Sequence, residues 1–142
     1  MRDNQTVELI IPNILGAERF AMSCSATYAE RLGFKADRIA DLKTAVAEAC
    51  INAIQHGNRG EHNERVIVKI SRSNESLVVT VADKGKGFSG PLPKDPDIER
   101  IVMALDPPKG FGLFLIKNLA DAFEFDQKIE NGHMVKLHFK LP

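Results

Sequence analysis

Three stretches of this 142-residue chain carry residue types that could do chemistry. In "AVAEACINAIQHG", residues 45–57, Glu48, Asn52 and His56 stand four apart. Four residues of an α-helix fall only about 40° beyond one full turn, so a helix here stacks Glu48 and Asn52 on one side. Their neighbours Ala45, Ala47, Ala49, Ile51, Ala53 and Ile54 are small or apolar, which leaves room for an approaching group. A carboxylate beside an amide oxygen suits a hard cation and a polarised nucleophile. The same stripe also fits the solvated face of an amphipathic helix. No role for His56 follows from the pattern.

The second stretch is "ADKGKGFSG", residues 82–90, directly behind the apolar run "LVVTV". Asp83 ends a strand-like segment, and Gly85 and Gly87 follow it at once. A tight turn explains this, and so does a ligand that comes close to bare backbone while the carboxylate reads part of it. The third stretch is "PPKGFGLFLIKNLAD", residues 107–121, where Gly110 and Gly112 lead into an apolar helix. Such an entry exposes backbone N–H groups at the positive end of the helix dipole, where phosphates bind, and Lys109 adds a point charge. Simple helix capping accounts for the glycines as well.

These residues need elements to position them. "TVELIIP" (6–12) reads as a strand closed by Pro12, and apolar positions at helical spacing run over 14–32 to a stop at Gly33. A second helix is expected from Asp37, its N-cap, to His56, with Gly57 as its stop. Residues 65–71 and 76–82 read as a hairpin, and 123–129 with 133–141 as another around Glu130, Asn131 and Gly132. A last helix spans about 111–122. Between the hairpin and that helix, residues 88–109 carry Pro91, Pro93, Pro96, Pro107 and Pro108 and no strong period; "DPDIERIVMAL" (95–105) is the one candidate for a short helix inside them. The expected fold class is α+β: one domain over residues 1–142, a two-layer α/β sandwich with helices on one face of a mixed, mostly antiparallel sheet.

Composition narrows the function. Lys plus Arg and Asp plus Glu each total 19, so the net charge is zero, which argues against binding nucleic acid through its phosphates. No apolar run approaches the roughly 20 residues of a membrane span, and the N-terminus lacks the apolar core of a signal peptide. A cytoplasmic location is the expectation. Cys24 and Cys50 form neither a CxxC pair nor a zinc cluster and read as buried free thiols.

Taken in order, Glu48-x-x-x-Asn52, Asp83-x-Gly85-x-Gly87 and Gly110-x-Gly112-Leu113 resemble the N-box and the two glycine boxes of the GHKL (histidine kinase-like) ATP-binding superfamily. Within it, "EACINAIQHGN" and "GFGLFLIKNLAD" are most similar to the anti-sigma factor serine kinases of the RsbW/SpoIIAB type. The resemblance covers nearly the whole chain and implies ATP and Mg²⁺ as cofactors. It implies that Asp83 accepts a hydrogen bond from the adenine amino group and that Gly85 and Gly87 let the backbone approach the nucleotide. Asn52 would ligate Mg²⁺, and Glu48 would act as general base on the incoming hydroxyl. Lys109, Gly110, Gly112 and Leu113 would belong to the phosphate-binding box, with residues 88–109 as an ATP lid.

The implied partners are a STAS-type anti-sigma factor antagonist, phosphorylated on serine, and a sigma factor. No direct contact with nucleic acid or membrane is implied, and a homodimer is left open. The alternative is an ATP-binding switch that sequesters a partner without phosphorylating it; such a protein needs no Glu48. A detached histidine-kinase catalytic domain would need a phosphoacceptor hairpin, for which the chain shows no room.

Overall fold

The computed structural model describes residues 5–57, 64–83, 111–126 and 132–142. The expected lid, the short helix proposed inside it, and most of the turn around Asn131 lie outside these residues. Five strands form one sheet: β1 (Val7–Pro12), β2 (Arg65–Arg72), β3 (Ser76–Asp83), β4 (Ala122–Asp126) and β5 (His133–Lys140). Their order is β1-β2-β3-β5-β4. Every pairing among the described residues is antiparallel, so the sheet expected to be mostly antiparallel is wholly so here.

The strands form because their side chains alternate. Val66, Val68 and Ile70 on β2, Leu77, Val79 and Val81 on β3, and Val135, Leu137 and Phe139 on β5 are all buried. The register sets Val68 opposite Val81, Ile70 opposite Val79, Leu77 opposite Phe139 and Val79 opposite Leu137. One sheet face is thereby a continuous apolar surface, since residues two apart share a face. Asp83 and His133 sit at the next even step along β3 and β5, on this same face, and are paired in the register.

Helices α1 (Glu18–Arg31), α2 (Ala36–Asn52) and α3 (Phe111–Leu119) accompany the sheet. Ala21, Ser25 and Ala29 on α1 and Leu42, Ala45, Val46, Ala49 and Cys50 on α2 are buried. Ala21, Ser25, Ala29, Ala45, Ala49 and Cys50 are small, and α1 and α2 pack together. The expected stop at Gly33 is present: its φ is +87°, in the left-handed region that glycine tolerates. Gly33 N–H donates to the Glu30 carbonyl and Phe34 N–H to the Ala29 carbonyl, the pair of bonds of a Schellman motif.

The first helix, expected over 14–32, spans Glu18–Arg31, and the last, expected to about 122, ends at Leu119 because Ala122 already begins β4. Both ends of α2 differ as well. The N-cap of α2 is Lys35, extended at φ −78° and ψ 159°, with no side-chain cap bond, and Asp37 lies inside the first turn. There it still faces the positive end of the dipole. The second difference is at the other end. The α-helix stops at Asn52 and continues as a π turn over Ala53–Gly57. A π turn bonds i to i+5 and is a recurrent feature of functional sites. The four-residue backbone register that joins 48 to 52 is not continued to 56.

Candidate functional site

Helix α2 is the hub of the site. Helix α2 and the π turn that follows it pack against β3, and α3 packs against α2. The elements that carry all three motifs therefore meet on one helix. Gly112 and Leu113 fall in the first turn of α3. Gly85, Gly87, Lys109 and Gly110 lie outside the described residues.

Glu48 is half-buried on α2. Burial raises its carboxyl pKa above the ordinary glutamate range, and the nearby Glu18 carboxylate raises it further. Both effects oppose ionisation: one removes hydration from the charge, the other adds a like charge. Glu18 stands in the first turn of α1, where its Oε1 accepts a 2.7 Å hydrogen bond from Gly16 N–H. The sequence offered no reason to connect Glu18 with Glu48. Cys50 is fully buried, and burial first, then Glu18, pushes its thiol up to about 12. It is the inert thiol expected from its apolar setting, whereas Cys24 is only half-buried.

Asn52 closes α2 one turn beyond Glu48. Its Nδ2 is buried and has no hydrogen-bond partner among the described residues. An unsatisfied buried amide costs about 1–3 kcal/mol, so native structures seldom leave one without a reason. No side-chain bond to described residues fixes which end of this amide faces which way. Turning the group to present its oxygen breaks none of them, and an amide oxygen is a proper ligand for Mg²⁺. No cluster of three or more His, Cys, Asp or Glu side chains among the described residues could hold a metal by itself.

Asp83 ends β3 where the apolar stripe would call for another valine. Its side chain is only 8% exposed and faces that of His133, also 8% exposed, with Nδ1 3.4 Å from Oδ1. The His133 ring lies 6.1 Å from the Phe125 ring, tilted by 34°. A carboxylate at that depth needs polar partners, since an isolated buried charge is strongly disfavoured. His133 is a site residue that sequence patterning did not single out. The available signal was positional: His133, Val135, Leu137 and Phe139 continue one alternation, and Asp83 extends the facing one.

Arg38 ties α2 to the end of α3 and to the sheet. Its Nη1 donates to the Leu119 carbonyl at 2.6 Å, at the end of α3, and to Asp41 at 3.1 Å. Its Nη2 donates to Asp121 at 2.7 Å, and the guanidinium lies 4.7 Å above the Phe139 ring. Asp121 also accepts from Lys140 N–H at 2.7 Å. A separate groove of about 430 Å³ between β1 and α1, lined in part by Tyr28, Arg31 and Arg72, contains none of the site residues.

Residues 15–139 match the family described as the histidine kinase-like ATPase domain. A serine-protein kinase RsbW of Bacillus pumilus is 33% identical across 85% of this chain and 80% of the relative. The RsbW of Bacillus subtilis is 32% identical across 78% of this chain and 69% of the relative. The RsbW of Listeria monocytogenes is 32% identical across 85% and 78%. A crystal structure of the RsbU and RsbW domains of a Mycobacterium tuberculosis protein covers 96% of this chain with a TM-score of 0.66 at 16% identity. This chain matches 32% of that longer one, and the likeness shows the shared fold. The chain thus belongs to the histidine kinase-like ATPase domain family, among the serine-protein kinases of the RsbW type.

Proposed function

We propose that the chain is an ATP-dependent protein serine kinase and anti-sigma factor that phosphorylates a serine of an anti-sigma factor antagonist in a partner-switching pathway. The observation that carries this reading is Glu48: a half-buried carboxyl with a raised pKa, one helical turn from Asn52, whose buried Nδ2 has no hydrogen-bond partner among the described residues. A switch that only grips nucleotide has no use for that carboxyl. The names of the relatives, serine-protein kinase RsbW, support the same class of reaction.

In this reading Asp83 accepts a hydrogen bond from the adenine amino group. Glu48 accepts the proton of the serine hydroxyl as its oxygen bonds to the γ-phosphorus, and the bond to the β–γ bridging oxygen breaks to release ADP. A raised pKa brings the base closer to working pH, where general-base catalysis is most effective. Asn52 would hold Mg²⁺ through its amide oxygen, and the ion would supply charge neutralisation on the phosphates. Gly112 and Leu113, at the start of α3, would lie at the phosphates with Lys109 and Gly110, beneath a lid formed by residues 88–109. The partners are the antagonist and the sigma factor it displaces.

The test is the mass of a purified antagonist after incubation with this protein and Mg-ATP. A gain of one phosphoryl group on serine is expected. Glu48→Gln should retain ATP and lose about 10²–10⁴-fold in transfer rate. Nucleotide binding with no transfer to any antagonist would leave the non-catalytic switch as the better description.

A further inference from the structure

We propose that the groove between β1 and α1 is a docking site for an extended, acidic segment of a partner protein. Helix α1 carries two stripes. Ala21, Ser25 and Ala29 form the buried one. Phe20, Cys24, Tyr28 and Arg31 follow one another at helical steps of four, four and three, so they share a second side, and all four line the groove. Val7 of β1 lines it from the opposite wall. The groove consists of two adjoining pockets of about 430 and 630 Å³, which share Val7, Tyr28 and Arg31. Arg72 lines the first, at the end of β2 and on the sheet face that carries Val66, Val68 and Ile70. Phe20 and Arg19 line the second.

The groove is cationic at both ends in a chain whose net charge is zero. Arg19, Arg31 and Arg72 line it, and no carboxylate among the described residues does. None of the three guanidiniums is in an ion pair with a described residue. Tyr28 is fixed between them by its hydroxyl, which donates to the Gln5 carbonyl at 2.9 Å. Burial raises the pKa of that phenol, and the charge of Arg72 offsets part of the rise. Apolar surface is exposed beside the charge: Phe20 is 63% and Val7 37% accessible to water. From Phe20 to Arg31 the helix rises about 16 Å, which an extended chain spans in about five residues. Carboxylates of such a segment would meet Arg31 and Arg72, whose forks take them through paired hydrogen bonds, and an apolar side chain would cover Phe20 and Val7. A free phosphate would leave Phe20 in water, a nucleic acid calls for a longer cationic track, and a flat lipid surface would not reach the floor of the groove. The inference does not rest on the kinase reading, because the groove contains none of the site residues.

The experiment is selection of random displayed peptides as long as β1, six residues, on the full chain, followed by fluorescence anisotropy with the selected peptides. The selected sequences should be rich in aspartate and glutamate and carry an apolar residue towards one end. Their affinity should fall as salt is added. Arg31→Glu and Arg72→Glu should each weaken the best peptide about tenfold, since reversal sets like charges together. Arg31 is exposed on α1, so its variant carries the expectation should Arg72→Glu not fold. Replacing the peptide's acids with lysine should restore binding to Arg31→Glu while abolishing it for wild type. Bound peptide should slow the reaction of Cys24 with a thiol reagent, and the groove variants should keep the ATP affinity of wild type. A selection without acidic enrichment overturns the proposal, as do acidic peptides that bind the variants and wild type alike. Tighter, variant-sensitive binding to phosphatidylserine vesicles or to a nucleic-acid oligomer overturns it too. If Phe20→Ser sediments as a smaller species than wild type, the groove belongs to a second copy of the chain and the proposal falls.

Discussion

Glu48 is a residue whose charge the fold opposes. Its folded pKa lies above the ordinary glutamate value because burial and then Glu18 oppose its charge. Between the ordinary and the raised pKa the folded state holds a proton that the unfolded chain has released. Stability therefore falls as pH rises through that window and stays lower above it. Glu48→Gln removes the charge, so the variant should be more stable than wild type at neutral pH, with the gain vanishing below about pH 4. Denaturant melts at several pH values measure this, and a variant less stable at pH 7 contradicts it. Glu18→Gln should lower the pKa of Glu48 and move the acid limb of the transfer-rate profile to lower pH; a profile that stays in place argues that the two carboxylates are uncoupled. The thiols give a further contrast. Cys50 is buried, with its pKa pushed to about 12, and Cys24 is half-buried, so a thiol reagent should label Cys24 first in the native protein. Equal labelling rates would show that α2 opens far more readily than its packing implies.

At the scale of elements, Gly33 is the position where backbone conformation alone sets the cost of a change. A Cβ built there would meet only the Pro142 side chain, at 3.9 Å, an ordinary contact. The cost of Gly33→Ala therefore comes from φ +87° and should be about 1–2 kcal/mol. A melting temperature within error of wild type would mean that the Schellman turn relaxes freely. This stop was legible in the sequence because a glycine directly after a periodic run is a common way for a helix to end. The hairpin of β2 and β3 was legible through its alternation, and so were the placement of Glu48 and Asn52 one turn apart on a helix and of Asp83 at a strand end. The start of α2 was not, because Lys35 caps through backbone conformation and leaves no side-chain signature. The π turn was not either, since its residues continue the composition of the α-helix before it. His133 and Arg38 escaped for a different reason: they act on groups 50 and 81–83 residues away, and only the folded register brings those together.

Across the whole molecule, one guanidinium ties together the parts that the site depends on. Arg38, near the start of α2, holds the last turn of α3 through the Leu119 carbonyl and the end of the sheet through Asp121 and the Phe139 ring. The first turn of α3 carries Gly112 and Leu113, so the anchor fixes the far end of the helix whose near end is assigned to the phosphates. Burial alone would raise the pKa of Asp121, but the Lys140 N–H and the Arg38 guanidinium outweigh it and leave it lowered. A lowered folded pKa adds stability above the ordinary aspartate value, and that stability is lost as pH falls through the folded pKa. Arg38→Ala should cost about 2 kcal/mol, a drop in melting temperature of roughly 6–8 °C. Arg38→Lys should recover little of it, since an ammonium lacks the planar fork that reaches two acceptors and stacks on a ring. The Ala variant should also lose part of the acid-side fall in stability, because Asp121 would no longer be held so low. If α3 is positioned through this anchor, Mg-ATP should raise the melting temperature of Arg38→Ala by less than it raises that of wild type. Equal stabilisation by nucleotide in both proteins would show that the phosphate end of α3 is set by α2 packing alone.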